Sequence, residues 1–105
     1  MKRCKFTKIV AGLSVVASIM GTTAFAEDTR IALVVKALGI GFFEAAAKGA
    51  EEAAAELGGV KIIYTGPTST TAEGQIEVIN SLIAQGVDAI AVSANDPDAL
   101  APALK

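Results

Sequence analysis

Four residues have types and positions suited to holding a small hydroxylated molecule: Lys36, Phe42, Phe43 and Asn95. Lys36 follows the apolar run Ile31–Val35, where an ammonium can donate to a carbonyl or hydroxyl oxygen. Phe42 and Phe43 are adjacent at the start of a helical pattern, so both cannot face one core. An aromatic ring projecting there packs on an apolar C–H face, while polar groups at the rim hold hydroxyls. Each residue also has a plainer reading. The two rings would pack on strand ends, and Lys36 would be an ordinary surface ammonium. Asn95, Asp96 and Asp98 offer further hydrogen-bonding groups, but helix capping already accounts for both aspartates.

Several other chemistries are disfavoured. Gly39-Ile40-Gly41 begins like a dinucleotide fingerprint, yet Glu44 stands where the third glycine belongs. No acid ends the second strand to hold a ribose; Thr65-Gly66-Pro67 is found there. Histidine is absent, which removes the commonest acid–base residue and metal ligand. No catalytic cluster, metal-ligand set or cofactor motif is visible, so the sequence does not read as an enzyme. Past residue 26, five basic residues face eleven acids, a net charge of −6. Nucleic acid is therefore excluded as a partner, because phosphate neutralisation needs clustered Lys and Arg.

The elements that must position the four residues follow from periodicity. Ile31–Val35, Val60–Thr65 and Ala89–Ser93 read as strands. The first and third are apolar without alternation, which suits a parallel sheet covered on both faces. Between them lie two helical stripes: Phe43, Ala46, Ala47, Ala50, Ala53, Ala54 and Leu57, then Ile76, Ile79, Leu82 and Ile83. The alanines are read as a small-residue face that lets a helix sit close to a sheet.

Gly58 and Gly86 mark helix C-termini. Thr70 and Glu73 form an expected capping box, and Asp96-Pro97 opens a third helix. The fold class is α/β: a three-layer parallel sheet with β-α-β-α-β-α order. In such sheets ligands bind beyond the carboxyl ends of the strands, here Lys36–Gly41, Thr65–Thr71 and Ser93–Asp98.

Residues 1–26 differ from the rest. Lys2, Arg3, Lys5 and Lys8 precede an apolar stretch, Ile9–Met20, and Ala24-Phe25-Ala26 closes the segment. These are the three parts of a secretory leader, with cleavage expected after Ala26. Cys4 precedes the apolar stretch and so is misplaced for a lipid-bearing cysteine. The chain is divided into a signal peptide at 1–26 and a segment at 27–105, read as truncated at Lys105.

The stretch 30–43, the Ala-rich helix with Glu56-Leu57-Gly58, Tyr64 through Thr68, Gln75 through Asn80 and 93–105 together resemble the type I periplasmic sugar-binding proteins. Within them, Lys36, Gly41-Phe42-Phe43, Gly66-Pro67-Thr68 and the terminal Pro102-Ala103-Leu104-Lys105 are similar to the branch of rhamnose and autoinducer-2 receptors. The resemblance implies that 27–105 is the N-terminal part of the first lobe of a two-lobed receptor. It implies a monosaccharide ligand, rhamnose-like before autoinducer-2, handed to an ABC permease of the inner membrane. It also implies a monomeric protein in the periplasm or cell envelope that uses no cofactor.

Phe42 and Phe43 map onto the aromatic pair lining the family's sugar site, and Lys36 onto a lysine that contacts ligand in autoinducer-2 receptors. Ile40 and Gly41 stand where ribose-type receptors carry polar residues, which disfavours ribose. Reporting ligand to a membrane sensor or chemoreceptor, instead of feeding transport, is the alternative. A sugar-responsive regulator of the same fold would need a DNA-reading helix in place of the leader. The intact mass of the exported product should correspond to loss of the first 26 residues, leaving Glu27 as N-terminus. A product retaining Met1–Ala26 would contradict the leader.

Overall fold

The computed structural model describes residues 27–105; residues 1–26, and with them the expected leader and its cleavage after Ala26, lie outside the described residues. Three parallel strands, β1 (Thr29–Val34), β2 (Val60–Thr65) and β3 (Ala89–Val92), form one sheet in the order β2-β1-β3. They alternate with α1 (Gly41–Leu57), α2 (Ala72–Ala84) and the short α3 (Pro97–Leu100), which runs on as a 3-10 turn, Ala101–Leu104. This is the α/β order expected from the sequence. The chain leaves β1 toward one edge through α1 and returns past it to the other edge through α2. With right-handed crossovers, that path places the two helices on opposite faces.

Burial agrees with this arrangement. Ala32 and Val34 are buried against Ile79 and Leu82 of α2 and Leu100 of α3, with Ile63, Ile90 and Val92 packed around them. Removing Ile79 and Leu100 from water contributes about 1.5–3 kcal/mol each. The other face, with Ile31, Leu33, Ile62 and Tyr64 half-buried, carries α1, which packs mainly on β2. Ala89 and Ala91 of β3 belong to that same face and are exposed. Two-sided cover, expected for both the first and third strands, is thus found for β1 but not for β3 among the described residues.

The helix stripes are also corrected. In α1 only Ala47 and Ala54 are buried, with Phe43 and Ala50 half-buried; Ala46, Ala53 and Leu57 are exposed. A helix resting near the sheet edge needs one narrow row at spacings of three and four, so the four exposed alanines of its seven serve helix propensity alone. In α2, Ile79 and Leu82 are buried but Ile83 is exposed. The stripe is completed instead by Gln75, whose residue is 0% exposed.

The caps position α2 and α3. Thr71, not Thr70, is the N-cap of α2: its Oγ1 accepts from Gly74 N at 3.2 Å. That shift puts Gly74 at the third helical position, so the expected reciprocal arm from Glu73 is not made. Gly74 lies close against the preceding loop: a β-carbon there would lie 2.8 Å from Pro67 Cβ. Asp96 caps α3 as expected, with Oδ1 accepting from Asp98 N and Ala99 N at 3.0 and 3.1 Å. Gly58 and Gly86 follow their helices with φ of 68° and 69°.

At the far end of α2, Arg30 Nη2 donates to the carbonyls of Gln85 and Gly86 at 2.7 and 2.8 Å, while Arg30 N donates to Asp88 Oδ2 at 2.7 Å. A cation there takes the carbonyls of the C-cap and the residue after it, and complements the helix dipole.

Two glycines in different surroundings test the packing. A β-carbon on Gly66 would lie 2.9 Å from both Val35 Cγ2 and Val35 O, whereas one on Gly49 of α1 would meet nothing within 4 Å. Gly66→Ala should destabilise by about 1–3 kcal/mol through overpacking. Gly49→Ala should stabilise by about 0.5–1 kcal/mol by relieving the backbone entropy cost of a helical glycine. Denaturant unfolding reads both, and wild-type stability in Gly66→Ala would contradict the close approach.

Candidate ligand-binding site

The loops that follow the three strands form one rim. Because β1 lies between strands reached by opposite crossovers, the crevice between the carboxyl ends of β1 and β3 is a topological switch point. The sheet pairing closes there with Val35 N donating to Thr65 O at 3.0 Å and Ser93 N to Val34 O at 2.9 Å. Beyond these bonds the strands separate. Leu38 N donates to Pro67 O at 2.9 Å, joining the first loop to the second.

Across the crevice the joint is made by side chains. Gln75 Nε2 donates to Val35 O at 3.0 Å and to Ser93 O at 2.8 Å, and its Oε1 accepts from Asn95 N at 2.7 Å. Asn95 Nδ2 in turn donates to Lys36 O at 2.9 Å and to Thr71 O at 3.2 Å. Both amide protons of Asn95 are therefore committed to the protein. Its Oδ1 receives no donor among the described residues and remains as an acceptor at the crevice. In the sequence the one signal of Gln75 is a carboxamide inside an apolar stripe, and nothing local names its partners.

Lys36 is half-buried at the end of β1, and its ammonium has no ion-pair partner among the described residues. The aromatic pair divides its roles. Phe43 is half-buried, while Phe42 is 77% exposed, and the rings meet edge to face with centroids 5.3 Å apart at 81°. Gly39, at φ 79°, turns the chain into α1, where Phe43 N and Glu44 N donate to Ile40 O at 2.9 and 3.1 Å. Leu38 and Ile40 are exposed beside Phe42, so the first loop presents a largely apolar lip. Thr68, Ser69 and Thr70 line the second loop with exposed hydroxyls.

This rim is an open surface rather than an enclosed cavity. Two grooves lie elsewhere, one of about 320 Å³ between β2 and α2 and one of about 480 Å³ beside β3, lined by Ile83, Val92 and Leu104 among others. Neither is lined by Lys36, Phe42, Phe43 or Asn95. Among the described residues, no group of three His, Cys, Asp or Glu side chains is placed to hold a metal ion, and no helix is long and apolar enough to cross a membrane.

Comparison with known proteins agrees with this geometry. Residues 31–105 match the periplasmic binding protein domain family, a family of non-enzymatic solute receptors. Among solved structures, the chain is 42% identical to an ABC transporter solute-binding protein from Clostridium phytofermentas with bound L-rhamnose, with a TM-score of 0.68 over 76% of this chain and 25% of that one. It is 35% identical to LsrB from Clostridium saccharobutylicum in complex with AI-2, with a TM-score of 0.69 over 71% and 23% of the two chains. A solute-binding protein from Agrobacterium vitis bound with α-D-tagatopyranose is 34% identical, with a TM-score of 0.70 over 73% and 26%. The chain thus spans about a quarter of the length of these structures. With strand order, crevice and sequence in agreement, the chain belongs to the periplasmic binding protein domain family.

Proposed function

We propose that this chain forms the N-terminal part of the first lobe of a periplasmic solute receptor that delivers a monosaccharide to an ABC importer of the inner membrane. The observation that carries this reading is the rim at the β1–β3 switch point, to whose loops belong the exposed ring of Phe42, the half-buried residue Lys36 and the unused carboxamide oxygen of Asn95. Phe42 would cover the C–H face of the sugar ring, with Phe43 bracing it edge-on. Lys36 would donate to a ring or hydroxyl oxygen, and Asn95 Oδ1 would accept from a hydroxyl. The remaining contacts would come from a second lobe that closes over the rim.

L-Rhamnose or another deoxyhexose is the first ligand. The apolar lip of Leu38, Ile40 and Phe42 suits a methyl-bearing ring, and the relative bound to L-rhamnose is 42% identical. The second reading is the signal autoinducer-2, favoured by the similarity to LsrB in complex with AI-2. In that reading the receptor informs a membrane sensor as well as, or instead of, feeding transport. The protein would work as a monomer, without cofactor, after removal of its leader at Ala26.

Calorimetric titration of the full-length protein with L-rhamnose, tagatose and autoinducer-2 tests the reading; no heat with any of them would contradict it. Phe42→Ala should weaken binding by about 1–3 kcal/mol, the scale of a lost aromatic contact. Unchanged affinity would remove Phe42 from the site. Lys36→Ala should weaken binding with little change in stability, because its ammonium makes no ion pair among the described residues. A large fall in melting temperature at wild-type affinity would make Lys36 a structural residue.

A further inference from the structure

Neither Lys36 nor Asn95 is held in place by its own strand. Both follow the last sheet pairings, in chain that would be free to drift apart across the crevice. What holds them is Gln75, on a helix the ligand need not touch. Its amide makes three bonds: both N–H donors are committed, to Val35 O and Ser93 O, and Oε1 accepts from Asn95 N. Val35 O belongs to the peptide that leads into Lys36, and Asn95 Nδ2 then donates to the carbonyl of Lys36 itself. These bonds form a closed relay from α2 to β1 to the β3 loop and back to Thr71 at the start of α2.

We infer that Gln75 is a positioning residue for the ligand site: its buried carboxamide fixes Asn95 and the Val35–Lys36 strand end, so this lobe's half of the site is formed before ligand arrives. The inference rests on the proposed reading of the rim as a sugar site. Preorganisation of this kind raises affinity by removing the cost of ordering the contacting groups on binding. A hydrophobic residue of similar size would fill the volume but leave two carbonyls and one amide without partners. A glutamate would fit the space while exchanging two donors for a negative charge facing two carbonyl oxygens.

The test is Gln75→Glu in the full-length protein, with sugar affinity and thermal stability measured separately at about pH 8 and about pH 5, on either side of a raised carboxyl pKa. Below that pKa the acid regains one O–H donor and still accepts from Asn95 N. The charged groups around it are Lys36 at the end of β1, Glu73 and Glu77 on α2 itself, and Asp96 beyond Asn95. All are exposed or half-buried and are present in wild type, whose own profile subtracts them.

Affinity of the folded variant should be about ten-fold or more weaker at the higher pH and should recover at the lower, while wild type stays flat. Wild-type affinity at both pH values, with only the melting temperature lowered, would make Gln75 a core residue and overturn the inference. Should Gln75→Glu fail to fold, Gln75→Met carries the test. It fills the volume without the bonds to Val35 O, Ser93 O and Asn95 N, and unchanged affinity there overturns the relay.

If wild type binds no sugar, the ligand reading fails, and hydrogen exchange at Asn95 N still decides the positioning claim. That amide should be protected in wild type and lose protection in Gln75→Glu at the higher pH. Equal protection in both would overturn the relay.

Discussion

Two parallel strands whose crossovers run in opposite directions must part at their carboxyl ends, and the carbonyls exposed at the parting need donors. Here the donor is one fully buried carboxamide, that of Gln75, which reaches Val35 O and Ser93 O together. Buried polar groups are tolerated when every bond is made, and in that condition they specify one arrangement. An apolar side chain at this position would leave the strand ends unspecified. The crevice therefore exists as a defined surface because a polar group has been placed in the α2 core.

The opposite end of the sheet is fastened by a charge. Arg30 donates to the carbonyls of Gln85 and Gly86 just past α2, and Asp88 accepts from the amide of Arg30, so α2 is tied to β1 near both of its ends. Between these ties the apolar contacts of Ile79, Leu82 and Leu100 supply the burial. The α1 side is lighter, with alanines where α2 has larger residues. A small buried face there brings α1 close to β2 and sets Phe43 against the rim, leaving Phe42 exposed. Tyr64, on the face under α1, keeps a buried hydroxyl without a partner among the described residues. Its apolar ring supplies the packing there.

Strands, helices and their order were legible in the sequence because apolar period and terminal glycines report burial and chain reversal directly. Val60–Thr65 was bounded to the residue, and the Asp96-Pro97 start of α3 followed from capping chemistry. The α1 stripe was read too broadly: alanine is both a helix former and a core residue, so its pattern does not distinguish the two. Thr70 and Thr71 are chemically equal as caps, so their side chains alone do not choose between them; the structure caps with Thr71, and Gly74 in the first turn lies against Pro67 of the preceding loop.

The candidate site was legible as far as strand ends and aromatic residues reveal it. Gln75 carried a signal, a carboxamide four residues before Ile79 on the buried stripe, but its partners are 18 to 40 residues away in sequence. The sequence offers all of the Asn95 carboxamide to a ligand, whereas in the fold both of its Nδ2 donors are used by Lys36 O and Thr71 O.

The central claim is that a sugar sits at the β1–β3 switch point, held from this lobe by an aromatic face, an ammonium and a carboxamide oxygen. A crystal structure of the full-length protein grown with L-rhamnose tests it most directly. The account predicts the sugar ring stacked on Phe42, with oxygens within hydrogen-bond reach of Lys36 Nζ and Asn95 Oδ1 and the Gln75 bonds unchanged. A sugar bound in the groove beside β3, or between β2 and α2, with this rim empty, would contradict it.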